Sequence, residues 1–259
     1  MKNEIQLKPA YWASVSGGKD SLYMLYVLLQ FPDKYPLDGV VHFELEIDYP
    51  FIKDVVNYIK KECETRGIKF LSIKPRNSWE ELYEKYGFPN SKFRWCNSDY
   101  KLDAGAQLEE WLNSNGYYTV AYIGYCYDEH KRYEKRNAHG KEIYPLVELE
   151  VYEDDILEWA KKQKIFNNYY ITHRRCGCMI CPLASRLEYA YLYKYYPEKY
   201  EYMIEKMKET EKAVEEKTGR PHSCIDGKPE YNAGFLDNII KTKWIHKLNE
   251  MEKEYEETV

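Results

Sequence analysis

The chain has 259 residues, 44% of them hydrophobic and 31% charged, and its 38 Lys and Arg against 43 Asp and Glu give a formal charge of −5. With a mean hydropathy of −0.74 and no run of about 18 uncharged apolar residues, this composition excludes a membrane-embedded protein. It also gives no general attraction for a nucleic-acid backbone, so any contact with RNA or DNA has to be local.

The apolar stretch after Met1-Lys2-Asn3-Glu4 is too short for a secretion signal, so a cytoplasmic protein is expected. Apolar runs at Tyr11–Val15, Gly39–Phe43, Lys69–Ile73 and Tyr117–Gly124 read as short buried strands, each separated from the next by a segment of helical periodicity. In the segment that starts near Pro50, residues Phe51, Val55, Val56 and Ile59 share a face, and Gly67 is placed to stop the helix. Strands alternating with helices imply an α/β fold with a parallel, Rossmann-like sheet. From Tyr152 onward strand signals almost vanish: Tyr152–Gln163, Arg186–Tyr195, Pro197–Thr218 and Ala233–Glu257 all read as helices. The expected division is an α/β domain over residues 1–150 and a helical region over 151–259.

Between the first strand and the helix Leu22–Phe31 stands Ser16-Gly17-Gly18-Lys19-Asp20-Ser21. A strand-to-helix turn at the carboxyl edge of a parallel sheet presents free backbone N–H groups and the positive end of a helix dipole, and paired glycines let a phosphate approach the backbone. Ser16 and Ser21 add hydroxyls, Lys19 a cation, and Asp20 a carboxylate able to hold Mg²⁺ or cap the helix. Phosphate binding is the expectation. The loop is neither GxxxxGK[ST] nor GxGxxG, so neither a γ-phosphate hydrolase nor a dinucleotide enzyme is the natural reading.

This hexapeptide resembles the PP-loop of the adenine nucleotide α-hydrolase superfamily, and later motifs are similar to those of its phosphoadenosine phosphosulfate (PAPS) reductase-like branch. Asp48-Tyr49-Pro50 matches that branch's acidic-aromatic-Pro triplet, although Glu44-Leu45-Glu46 stands where the branch usually has Asp-Thr-Gly. Arg94-Trp95-Cys96 followed by Lys101 resembles its Arg-x-Cys-x4-Lys element, Gly124 with Asp128-Glu129 and Arg132 its Gly-x3-Asp-Glu-x2-Arg stretch, and Tyr144-Pro145-Leu146 its Pro-Leu segment. The resemblance implies an enzyme that binds ATP or an adenylylated nucleotide such as adenylyl sulfate and cleaves between the α and β phosphates. It implies nucleotide contacts at Ser16, Gly17, Gly18, Lys19, Asp20, Ser21, Arg94, Gly124 and Arg132, with Lys19, Asp20 and Lys101 acting in the reaction. The basic run Lys131-Arg132…Lys135-Arg136 reads as a mobile loop or lid, because acidic residues interrupt it. His173-Arg174-Arg175 is placed to steer an anionic substrate.

Seven cysteines without an export signal suggest thiols kept reduced as metal ligands or redox centres. Cys176, Cys178 and Cys181 combine a C-x-C and a C-x2-C in one loop, a spacing that lets several thiolates converge on one centre. The family element makes Cys96 the candidate fourth ligand. Adenylyl-sulfate reductases, which this region resembles, hold a 4Fe-4S cluster, and four thiolates suit zinc equally, so ligand type does not separate the two; reduced thiols without metal are the third outcome. Cys63 and Cys126 read as core residues, and Cys224 lies in the polar loop His222–Asp226, where it is either a mobile redox thiol or structural.

Three functions follow. The first is adenylation-dependent sulfur transfer to or from an unidentified partner molecule. The second is reduction of adenylyl sulfate or PAPS to sulfite, which needs a mobile cysteine of low pKa. The third is a nucleotide- or nucleic-acid-binding module with a zinc-stapled loop. The oligomeric state is left open, since the charged terminal helix is compatible with a partner copy.

Overall fold

The computed structural model describes residues 7–134, 141–225 and 228–258, and Met1–Glu4, Lys135, Arg136 and Asp226 of the readings above lie outside them. Five parallel strands form the central sheet in the order β3-β2-β1-β4-β5. They are β1 (Lys8–Ser14), β2 (Gly39–Phe43), β3 (Lys69–Ile73), β4 (Tyr117–Tyr122) and the two-residue β5 (Glu142–Ile143). The first four follow the apolar runs, with β1 reaching further toward the N-terminus than its run.

The helices between them are α1 (Lys19–Gln30), α2 (Pro50–Thr65), α3 (Trp79–Tyr86) and α4 (Leu102–Ser114). Helix α2 buries the stripe Phe51, Ile52, Val55, Val56, Ile59 and Cys63. It starts on Pro50, whose missing N–H costs nothing at a first helical position, and Gly67 takes a positive φ of 69° just beyond its end. Helix α3 opens with a capping box in which Ser78 and Glu81 each bond the other's backbone N–H. Before α4 the chain makes a wide π-turn over Cys96–Lys101 that runs straight into the helix.

After β4 come the short helices α5 (His130–Tyr133) and α6 (Pro145–Glu148), then α7 (Glu153–Lys161) and α8 (Tyr169–Thr172). The helical C-terminal region continues with α9 (Arg186–Tyr195), α10 (Pro197–Thr218), α11 (Ala233–Ile239) and α12 (Ile245–Thr258). The single helix read over Ala233–Glu257 is interrupted by a π-turn at Ile240–Trp244, which separates α11 from α12. No helix among the described residues is long and apolar enough to cross a membrane.

The two faces of the sheet are covered unequally. Ala13, Val15, Val40 and Tyr122 belong to a large core that continues through α1 and α2 into α8, α9, α10 and α12. On the opposite face Ala10, Trp12 and Val41 meet Leu108 and Leu112 of α4 in a small separate cluster. The strand order reverses between β1 and β4, the place where an open α/β sheet leaves a crevice beyond the carboxyl ends of its strands.

Candidate functional site

A cleft of about 740 Å³ opens at that reversal, within the size range of small-molecule sites, about 300–1,000 Å³. Its wall includes Ser16, Gly18, Asp20 and Ser21 after β1, Gly124 after β4, Lys101 before α4, Arg132, and Cys176 and Cys178 of the cysteine loop. Gly17, Lys19, Arg94, Cys96 and Cys181 do not line it. The cleft thus gathers expected nucleotide contacts and expected metal ligands from well-separated segments of the chain.

The glycine loop is shaped by its own hydroxyls. The Ser16 N–H donates to Ser21 Oγ at 3.2 Å, the Gly18 N–H to Ser16 Oγ at 3.3 Å, and Ser21 Oγ donates to the Gly18 carbonyl at 3.0 Å. Gly17 sits at φ 77°, and a Cβ there would lie 2.8 Å from Ile52 Cγ2, so both backbone and space call for glycine. Gly124 allows a different approach: a Cβ on it would stand 2.9 Å from the Asp20 carbonyl oxygen and 3.2 Å from the Ser21 nitrogen. Tyr170 of α8 completes the seat by accepting the Lys19 N–H at 2.9 Å. No sequence signal points to Tyr170, which is 151 residues away.

Lys19 is fully buried. Its ammonium lies 2.6 Å from Asp20 Oδ1 and 3.5 Å from Glu153 Oε1, beneath the loop. Burial holds the Asp20 carboxyl above its usual range; Lys19 opposes that shift, while Glu129 and Glu153 add to it. The Cys126 thiol also rests on Asp20 Oδ1, at 3.6 Å, which makes Cys126 a buried residue of the loop's underside. Glu129 Oε1 bonds Arg132 and lies 3.3 Å from Arg175 Nη2, and the Arg132 guanidinium covers the Tyr125 ring at 4.5 Å. Arg175 reaches Glu153 Oε1 too, at 3.5 Å. Two cleft-lining arginines are thus parked on carboxylates at the rim, where an anion can compete for them.

The segment that departs from the family pattern does structural duty. Glu46 Oε2 accepts the Trp79 N–H at 3.0 Å, and its own N–H donates to Tyr100 Oη at 3.0 Å; Glu44 is tied to Ser72 and Lys74 of the neighbouring strand and its exit. Asp48 lines the cleft. Burial pushes its carboxyl up to about 6, an effect that Lys101 and a bond to the Leu45 backbone only partly offset. The folded state then holds this proton more tightly than the unfolded chain does, so the stabilisation is full below about pH 4 and is lost as the pH rises through about 6. Asp48→Asn is expected to remove that slope, flattening the fall in unfolding free energy between about pH 4 and 6 by on the order of 2–3 kcal/mol, as measured by urea titration at a series of pH values.

The cysteine loop is pinned beside this carboxylate by the Met179 N–H, which donates to the Ile47 carbonyl at 2.8 Å. All seven cysteines are free thiols. Burial pushes the Cys178 thiol up to about 11 against the pull of Lys101, which hydrogen-bonds it, and burial holds Cys176 well above its ordinary value. Burial also works to lower the Lys101 ammonium, but Cys178, Asp48 and Cys181 outweigh it and keep it firmly charged. Cys96 is raised by burial and next by Cys181, with Lys101 and Arg94 opposing, so Cys96 is a neighbour of the loop. Among the described residues no three His, Cys, Asp or Glu side chains converge closely enough to hold a metal ion. In donor chemistry the set fits a thiolate-bound group: Cys96 feels the charge of Cys181, Cys178 that of Cys181 and Cys176 that of Cys178, and Lys101 supplies a counter-charge.

Arg94 is exposed, does not line the cleft, and acts on Cys96 through its charge. Cys224 is fully buried, its N–H bonded to Glu211 and its thiol pushed up to about 12 by burial. A thiol so placed is not the mobile thiolate that sulfonucleotide reduction demands.

No protein-family model matches the chain. It is 28% identical over 205 residues to an uncharacterized protein of Methanocaldococcus jannaschii, a match that takes in 75% of this chain and 47% of the relative. The chain thus spans about half the length of the curated relative it matches. Among solved structures it is similar to the U34-tRNA thiolase NcsA from Methanococcus maripaludis with its 4Fe-4S cluster, at 14% identity over 93% of this chain and 74% of that one, with a TM-score of 0.40.

Proposed function

We propose that the chain is a PAPS reductase-like PP-loop enzyme that binds ATP, activates a substrate by adenylation with cleavage of the α–β phosphate bond, and serves sulfur transfer. The observation that carries this reading is that the glycine loop and the cysteine pair Cys176 and Cys178 open on one cleft, with Lys101 and Asp48 also in its wall. Phosphate chemistry and sulfur chemistry are thereby within reach of one bound molecule.

In this reading the phosphates that leave as pyrophosphate are held by backbone N–H groups of the loop and the first turn of α1, with those of Ser16, Gly18 and Lys19 exchanging Ser21 Oγ, Ser16 Oγ and Tyr170 Oη for phosphate oxygens as the nucleotide binds. Lys19 keeps the loop in shape from beneath. Arg132 moves from Glu129 to phosphate oxygens and, with Lys101, meets the charge that builds as the bond breaks; Asp20 would hold Mg²⁺, which would offset phosphate charge there. Cys96, Cys176, Cys178 and Cys181 would hold a 4Fe-4S cluster, or in the alternative a zinc ion. The cluster would supply sulfur chemistry beside the activated phosphate, whereas zinc would brace the loop. Lys101 orients Cys178 through their hydrogen bond in either case.

Incubation with α-labelled ATP, Mg²⁺ and candidate acceptors is expected to give AMP and pyrophosphate. Production of ADP alone would contradict α–β cleavage, and tight ATP binding without any product over hours would favour a binding module. Anaerobically purified protein carrying a cluster is expected to be brown with broad visible absorbance, while the zinc form is colourless.

A further inference from the structure

The cleft extends beyond the phosphate loop along the thinly covered face of the sheet, where Trp12, Val41, Phe43, Leu108, Thr119 and Ala121 form its wall under α4. The charged side chains beside this arm are Glu109, Lys141 and Glu142, with Lys141 Nζ 3.5 Å from Glu109 Oε1, and the arm's wall itself holds two buried polar groups. Trp12 is 2% exposed, and its indole N–H has no acceptor among the described residues; the Thr119 hydroxyl is likewise buried without a partner. A buried donor without an acceptor is unfavourable and calls for an explanation, and here the two residues that carry such groups both line the cleft.

Their geometry is consistent with a shared ligand. The benzo edge of Trp12, Cε3 to Cη2, lies over Gly39 of β2, so closely that a Cβ there would sit 2.6–2.9 Å from its carbons. In indole the N–H is on the side opposite Cε3, and Trp12 is flanked by Gly39 in β2 and Ala121 in β4. The N–H is therefore turned away from β2 toward β4. Thr119 stands on that strand two residues before Ala121, and side chains two apart share a face.

We propose that this arm seats the ring of the nucleobase and that Trp12 and Thr119 are specificity-determining residues for it. The ligand class is a planar heteroaromatic ring, packed against Phe43 and Leu108, that offers an acceptor nitrogen to the Trp12 N–H and a hydrogen-bonding edge to the Thr119 hydroxyl. This rests on the nucleotide reading above. It adds a prediction that the phosphate loop does not make, because two side chains deep in the sheet read the far end of the same molecule.

The test is calorimetric binding of ATP and of inorganic tripolyphosphate to the full chain, comparing wild type with Trp12→Phe and Thr119→Val. Each variant keeps the bulk of its side chain and removes the hydrogen-bonding group. Three- to tenfold weaker ATP binding in each, with tripolyphosphate binding unchanged, is expected; the unchanged tripolyphosphate binding also shows that the variants are folded. If ATP and tripolyphosphate bind and neither variant weakens ATP, the base is not read here and this proposal falls alone. If wild type binds neither ATP nor tripolyphosphate, the phosphate-loop reading fails and takes this one with it.

Discussion

Lys19→Met is expected to lower the unfolding free energy at pH 7 by about 3–5 kcal/mol, the usual cost of breaking a buried ion pair from one side. Methionine fills most of the lysine's volume, so the loss is electrostatic rather than a cavity. The ammonium is fully buried and lies between Asp20 and Glu153; without it two carboxylates face each other in a poorly solvated place. The dependence on pH identifies the cause. Burial already holds the Asp20 carboxyl above its usual range and Lys19 is the main opposing influence, so the substitution raises it further. The folded variant then regains stability by taking up protons as the pH falls, and the gap from wild type narrows toward about pH 4. Denaturant melts at pH 7 and pH 4 decide the matter: an equal loss at both would show that the lysine's packing, not its charge, is what counts.

Gly124→Ala is expected to weaken ATP binding at least tenfold and to cost about 1–3 kcal/mol of stability, the range for overpacking a tight contact. The added methyl meets backbone, the Asp20 carbonyl and the Ser21 nitrogen, and backbone at the start of a helix cannot turn aside as a side chain can. The end of β4 must retreat, or α1 must shift along its axis and carry the loop's N–H groups with it. Isothermal titration with ATP and a thermal melt of the same sample measure both effects. Binding at wild-type strength with a lowered melting temperature would show that the loop absorbs the intrusion.

The frame of the molecule was legible in the sequence because its strands are short, apolar and punctuated. Gly39–Phe43 and Lys69–Ile73 are found at their expected bounds, and Arg186–Tyr195 and Pro197–Thr218 likewise. β5 escaped because two residues carry no periodicity. The site was legible where one segment carries the signal, as in Ser16–Ser21, and not where distant segments cooperate. Tyr170 and Glu153 act on the loop through contacts that depend on how α7 and α8 return to it, and local pattern holds no record of that return. Lys19 shows the same gap: a lysine in a glycine loop reads as a cation facing the ligand, but it opens α1 on the helix's inner side and is fully buried.

The wide turn over Cys96–Lys101 gives chain length a meaning of its own. A regular helix advances about 100° per residue, and a wide turn advances less, so this one takes up an extra residue between Cys96 and Leu108 without turning what lies upstream out of phase. As wound, one continuous rod presents Cys96 toward Cys181 and, further along, Leu108 and Leu112 toward the sheet. Deleting a single residue from Asn97–Asp99 would restore ordinary winding and leave Cys96 close to its present phase, so the extra residue sets the width of the turn and not the direction of the thiol. Relatives that lack this one residue would keep both the phosphate loop and the direction of Cys96, so that a one-position gap between two aligned sequences at this point would mark a narrowed turn rather than a lost thiol.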